Sequence, residues 1–311
     1  MGFAQIFQAY LSVIQARFYA ILSPMNFSTH PAVFAPFLVF ALLVGACVGS
    51  FLNVCIYRIP LGLSVVAPRS FCPACKTPIP LWWNIPLLSW LMLGGKCRAC
   101  KAPISARYFC VEALTAALFG LVFLQWDAFS PPFFGLAPRD VFLLPVFMAF
   151  AASLVCASFI DLDHYILPDR ITIGGTVAGL ALSPLLPQLH NTTVWHEALL
   201  RSALGAACGF GALWLVAVLG KLAFKKEAMG GGDVKLMAMF GAFFGWMSLP
   251  FMLFMASLAG SVAGVFLIAT GRREKTGGII PFGPFLCMGA LVWMYWGPTL
   301  LDAYAGLFRF Q

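Results

Sequence analysis

The sequence predicts an all-α polytopic membrane protein of about eight transmembrane helices, with a cytoplasmic four-cysteine zinc loop between the first two. Three observations carry this. Of 311 residues, 61% are hydrophobic and only 10% are charged, against roughly 25% charged in an ordinary soluble domain. Apolar stretches recur along the whole chain at about the 20 residues an α-helix needs to cross a hydrocarbon core. Between the first two stretches lies a basic segment with a pair of C-x-x-C motifs. A transmembrane barrel would instead show short alternating segments, which do not occur.

Residues 1–32 form a weakly amphipathic opening with one charge, Arg17, and no basic n-region, and read as an interfacial segment rather than a cleaved signal peptide. Eight spans follow, at about 33–57, 108–126, 141–160, 171–189, 198–220, 236–249, 251–270 and 281–301. The net charge of +8 serves first as a topology signal, because Lys and Arg collect on the cytoplasmic side of span ends. Placing loops 58–107, 161–170, 221–235 and 271–280 in the cytoplasm gives that side fifteen of the nineteen basic residues, leaving Arg17, Arg139, Arg201 and Arg309 opposite. The same split argues against nucleic-acid binding, since no single basic stripe interleaved with exposed aromatics forms. Two Pro-rich connections, Phe129–Pro132 and Leu186–His190, become turns on the far side. The chain divides into the opening segment, a half from 33 to 140 containing loop 58–107, and a membrane domain from 141 to 311.

The loop holds an internal repeat. Cys72 to Ile79 and Cys97 to Ile104 both read C-x-A-C-K-x-P-I. Two such knuckles supply four thiolates, the donor set of a tetrahedral structural Zn²⁺ site with no open position for catalysis. The metal ligands expected are Cys72, Cys75, Cys97 and Cys100. Lys76, Lys96, Arg98 and Lys101 lie close enough in sequence to offset the negative charge of such a centre. A disulfide pair is the competing reading, disfavoured in a reducing cytoplasm. Between the knuckles, Leu81 to Leu91 carries Trp82, Trp83 and Trp90 without a charge, a composition suited to anchoring the loop at the membrane interface. The other six cysteines read as packing residues.

Two acidic stretches stand at span ends: Asp161-Leu-Asp-His-Tyr-Ile-Leu-Pro-Asp169 and Met229-Gly-Gly-Gly-Asp-Val-Lys-Leu236. Carboxylates at membrane depth are functional candidates by default. Asp161 directly follows one span and Asp233 directly precedes another, whereas Asp163 and His164 read as solvated and Asp169 as the cap of the next helix. Two facing carboxylates that share a proton can activate water and protonate an amide, hydrolysing it without a metal. Gly230, Gly231 and Gly232 would let a substrate backbone or a neighbouring helix come close. From the residues alone, a protease and a transporter using Asp161 and Asp233 as proton carriers are equally served, and a non-catalytic zinc-stabilised assembly protein is a third reading.

Gly230-Gly231-Gly232-Asp233 matches the G-x-G-D signature of intramembrane aspartyl proteases, and Met229 to Leu236 resembles the form found in bacterial type IV prepilin peptidases. The Asp161–Asp169 stretch, Gly49-Ser-Phe-Leu-Asn-Val-Cys-Ile-Tyr-Arg-Ile-Pro60 and the paired knuckles resemble the same family in the same order. The resemblance spans roughly residues 40–290. It implies an inner-membrane endopeptidase that removes the basic leader of prepilins and type II secretion pseudopilins at the cytoplasmic face. It also implies N-methylation of the new terminus with S-adenosylmethionine, and Asp161 and Asp233 as the catalytic pair. No glycine-rich nucleotide turn marks a methyl-donor site. Asn53, Arg58 and Glu112 are candidates for it, with structural polar contacts the competing role.

Overall fold

The computed structural model describes residues 31–128, 142–225, 229–270 and 280–308. The expected interfacial segment and the Phe129–Pro132 turn lie largely or wholly outside those residues. Among the described residues the helices are α1 (Pro31–Arg58), α2 (Leu88–Met92), α3 (Ala106–Ala128), α4 (Leu143–His164), α5 (Asp169–Leu182), α6 (Trp195–Phe224), α7 (Gly231–Phe244), α8 (Leu249–Ala269) and α9 (Gly283–Phe308). A helix therefore stands at each of the eight expected spans, α2 being a short insertion in the cysteine loop. Among the described residues, five segments are long and apolar enough to cross a membrane on their own, namely Ala35–Arg58, Ala106–Gln125, Leu143–His164, Trp195–Ala223 and Trp246–Ala269. The protein is a multi-pass membrane protein.

One expected span is shortened and another is displaced toward the N-terminus, for local reasons. α5 ends at Leu182 instead of continuing to 189, because Pro184 and Pro187 each remove an amide that a continuing helix would use. The chain there forms a buried 3₁₀ turn, Pro187–His190. α7 begins at Gly231 rather than 236 and stops at Phe244, where Gly245 takes a φ of 75° that terminates the helix. At 14 residues each, α5 and α7 are only about 21 Å long.

Contacts divide the chain into two compact units. One holds α1, the cysteine loop, α3 and α4 as far as Ile160. In it, α1 lies directly on α3, since a Cβ at Gly45 would stand 2.7 Å from the Ala116 Cα and one at Gly49 2.7 Å from the Glu112 Cα. This small-residue spacing of four lets backbones touch where lipid supplies no hydrophobic driving force between helices. Arg107 ties the start of α3 to α4, its guanidinium 4.9 Å from the Phe159 ring and its Nη2 donating to the Phe159 carbonyl at 3.1 Å.

The other unit contains Asp161 and everything after it. Its centre is α7, whose Leu236, Met237, Met239 and Phe240 are almost wholly buried. On one side α6 meets α7 where neither Gly205 nor Gly241 leaves room for a Cβ. On the other, Met239 and Ala242 fill the spaces beside Gly175 and Gly179 of α5. At the C-terminal end of α7, the Ser202 hydroxyl donates to the Ala242 carbonyl at 2.7 Å, and Ser183 Oγ meets His190 Nε2 at 2.9 Å. The opposite end of α7 is left to present Asp233.

Candidate active site and metal centre

Asp161 lies in the last turn of α4, four residues before Tyr165, whose left-handed backbone ends the helix with its N–H on the Asp161 carbonyl. Asp233 is the third residue of α7, behind Gly230 as the helix-capping residue. Both carboxylates are buried, at 6% and 8% exposure. They are 72 positions apart in sequence, yet close enough for the charge of Asp161 to act on Asp233. Asp161 Oδ2 accepts a hydrogen bond from the Gly283 N–H at 3.1 Å.

Leu167 joins the neighbourhoods of the two acids. A Cβ placed on Gly232 would lie 2.8 Å from the Leu167 Cβ, and one on Gly283 3.3 Å from the Leu167 Cδ1. The three glycines before Asp233 thus differ in role. Gly232 makes room for the chain's own Leu167, Gly230 approaches only the Asp233 carboxylate, and Gly231 faces open space. The close approach expected of this stretch is therefore met partly from within.

Asp163 and His164 are exposed. Asp169, expected to cap α5, instead occupies its first turn, with Pro168 at the capping position and no side-chain cap. Its Oδ1 accepts from Lys235 Nζ at 2.6 Å. A proline ahead of the helix leaves Asp169 helical, so its carboxylate is free to reach α7. Gly283 and Leu167 were not singled out by sequence reasoning. The Pro281-Phe-Gly-Pro284 run signals a turn, but nothing in it indicates a partner 122 residues away.

The cysteine loop brings its four thiols together, all four sulfurs lying within 4.8 Å of one another. Cys72 and Cys100 are 3.8 Å apart, and Cys75 and Cys97 4.0 Å. These separations are too long for disulfides. They match the edges of a tetrahedron about a metal with bonds of about 2.3 Å. The repeat folds as a repeat: Lys76 N–H donates to Cys72 O and Lys101 N–H to Cys97 O at 2.8 and 2.9 Å. Isolated bridges Phe71–Pro78 and Lys96–Pro103 close the two knuckles alike. Hydrogen bonding from Thr77 brings the Cys75 thiol down to about 6, and the Cys100 and Ala99 amides lower Cys97. At Cys100 the Ala102 amide acts in the same sense, yet burial and the neighbouring sulfurs push the thiol up to about 11. Four thiols this close do not all ionise without a cation among them. The cluster can hold a metal ion.

Around it, Trp90 is built into the loop, its Nε1 donating to Ile104 O at 3.3 Å, and Arg98 lies 4.6 Å over the Trp83 ring. Trp82 is exposed. The three candidates for a methyl-donor site are all engaged by backbone of their own unit. Asn53 donates to Tyr108 O at 3.1 Å, Arg58 to Ser64 O at 2.9 Å and Pro68 O at 2.7 Å, and Glu112 accepts from Leu87 N–H at 2.7 Å. Those contacts fit the structural role, the competing reading for each.

Comparison with known proteins gives two family matches in tandem. Residues 43–126 match the bacterial peptidase A24 N-terminal domain, and residues 148–265 match the type IV leader peptidase family. A Legionella pneumophila protein named prepilin leader peptidase/N-methyltransferase is 37% identical over 289 residues, covering 85% of this chain and 93% of the relative. Proteins of the same name from Myxococcus xanthus (43% identical, covering 80% of this chain and 69% of the relative) and Pseudomonas aeruginosa (36%, covering 89% and 95%) are also similar. No solved structure matches the chain. The transporter reading of the two carboxylates finds no support in these matches.

Proposed function

Since the chain belongs to the type IV leader peptidase family, we propose that it removes the basic leader of type IV prepilins and type II secretion pseudopilins, with Asp161 and Asp233 as the catalytic pair, and N-methylates the terminus so exposed. The observation that carries the assignment is the burial of these two carboxylates within one unit, at opposed helix ends, with Leu167 packed against the glycines beside both.

Like charges so close share a proton, leaving one carboxylate ionised and its partner neutral. The ionised member takes a proton from a water as the water oxygen adds to the scissile carbonyl carbon, and the neutral member protonates the carbonyl oxygen. Collapse of the tetrahedral intermediate breaks the C–N bond, the leaving nitrogen receives a proton from the dyad, and the carboxyl terminus of the leader is released. No cofactor enters this step. S-adenosylmethionine supplies the methyl group of the second reaction.

The four-cysteine cluster fits Zn²⁺ as a structural ion, with Cys72, Cys75, Cys97 and Cys100 as its ligands, because all four positions of a tetrahedron are taken by thiolates. The basic residues of loops 58–107, 161–170, 221–235 and 271–280 support a bacterial inner-membrane orientation with the active site toward the cytoplasm. Mass spectrometry of a prepilin incubated with purified protein and S-adenosylmethionine tests both activities. The expected product has lost its leader and gained one methyl group, and Asp161→Asn and Asp233→Asn each abolish cleavage. A variant of either aspartate that cleaves normally would remove it from the catalytic pair.

A further inference from the structure

We propose that Gly283 is a positioning residue for peptide hydrolysis, holding the Asp161 carboxylate through its backbone N–H and through its lack of a side chain. The inference rests on the reading of Asp161 as a member of the catalytic pair. It begins with the amides at the start of α9. The first turn of any helix has N–H groups without intrahelical partners. Here Pro284 has none to offer, and those of Phe285 and Leu286 turn back to the Phe282 carbonyl. The Gly283 N–H is aimed at Asp161 Oδ2, at 3.1 Å and buried. A carboxylate accepting from a backbone amide makes a charge-assisted bond, and the partial positive charge at the start of a helix acts in the same direction.

The space is as specific as the donor. A Cβ on residue 283 would stand 2.5 Å from Asp161 Oδ2 and 3.3 Å from Leu167 Cδ1. No side chain fits unless the carboxylate moves. With Oδ2 held, the carboxyl group cannot turn about its Cβ–Cγ bond without losing the amide, so Oδ1 is the oxygen left for proton transfer. Positioning of this kind acts on the rate of the chemical step and leaves leader binding alone.

Two variants separate the donor from the space. Gly283→Ala keeps the N–H and displaces the carboxylate. Incorporating glycolic acid at position 283 replaces the N–H with an ester oxygen and adds no side chain. In each, kcat for cleavage of a prepilin peptide is expected to fall on the order of ten- to a hundredfold, with KM unchanged. N-methylation of a peptide supplied without its leader should remain at the wild-type level, showing that the chain is folded. Wild-type kcat in the ester variant overturns the donor role, and wild-type kcat in Gly283→Ala overturns the spatial one. Parallel loss of cleavage and methylation in both variants means a purely structural glycine and overturns the proposal. So does recovery of Gly283→Ala by Leu167→Ala, which would trace the defect to crowding of Leu167. Asp161→Asn in the same assay separates the two readings: if it cleaves, the catalytic assignment has failed, whereas an inactive Asp161→Asn beside fully active 283 variants refutes the positioning role alone.

Discussion

Lys235 Nζ donates to Asp169 Oδ1 at 2.6 Å, tying the first turn of α7, where Asp233 sits, to the first turn of α5. The side chains are 38% and 60% exposed, so the pair itself contributes no more than about 1 kcal/mol to folding. Its consequence is geometric, because the Tyr165–Pro168 connector, which seats Leu167 on Gly232, leads directly into the tied turn of α5. Lys235→Met and Asp169→Asn are each expected to lower kcat for cleavage roughly three- to tenfold while moving the melting temperature little. The double variant should be no worse than either single one, which is the signature of a shared interaction. Additive losses in that cycle would mean that the two residues act separately.

The glycines before Asp233 make a sharper contrast. Gly231 faces open space, whereas a methyl on Gly232 would press on the Leu167 Cβ at 2.8 Å. Overpacking at such a point costs about 1–3 kcal/mol. Gly232→Ala should therefore melt earlier and cleave slowly. Gly231→Ala should melt like the wild type, and any defect it shows should appear in KM, from substrate approaching that open face. Thermal melts paired with steady-state kinetics of the two variants give the comparison.

Zinc content tests the metal centre independently of catalysis. Purified protein is expected to carry one Zn²⁺ per chain, lost in Cys72→Ser and Cys97→Ser because a four-thiolate site with one ligand removed binds far more weakly. Cys47→Ser, Cys110→Ser and Cys208→Ser, which alter exposed cysteines outside the knuckles, should retain it. Elemental analysis of all six proteins decides the point, and equal metal content throughout would exclude the four-cysteine site.

These features were unequally legible in the sequence. The knuckles could be read almost completely, because the C-x-A-C-K-x-P-I repeat is local and each copy closes on its own hydrogen bonds. Asp161 and Asp233 stood out because charge at the ends of apolar spans is costly. The end of α5 and the start of α7 did not, since hydropathy runs smoothly past Pro184 to Leu189 and cannot see a helix that starts on glycines and an aspartate. Asp169 misled for a related reason. An acidic residue at a helix start reads as a cap, and only the fold brings Lys235 within its reach. Gly283 was beyond any local pattern, because its role is a backbone N–H directed at a side chain 122 residues earlier.

His190 offers a prediction at the other end of α7. Its ring is buried, with Nε2 beside Ser183 Oγ at 2.9 Å, while its carbonyl accepts from Arg201 Nη1 at 2.8 Å. Burial pushes the imidazole down to about 4, the Ala242 carbonyl opposes this, and the Arg201 charge adds to it. Glu197, which pairs with Arg201 at 3.8 Å, is the nearby acid. A histidine whose folded value lies below its unfolded value of about 6.5 binds its proton more readily in the unfolded chain. Its neutral burial is fully compatible with the fold above about pH 6.5 and costs stability progressively as pH falls toward 4. The loss is on the order of 3 kcal/mol at most. Melting temperature measured in detergent from pH 7 to pH 4 should fall more steeply for the wild type than for His190→Gln, which keeps a polar partner for Ser183 but cannot charge. Parallel pH profiles for the two proteins would show that His190 is not the group responsible.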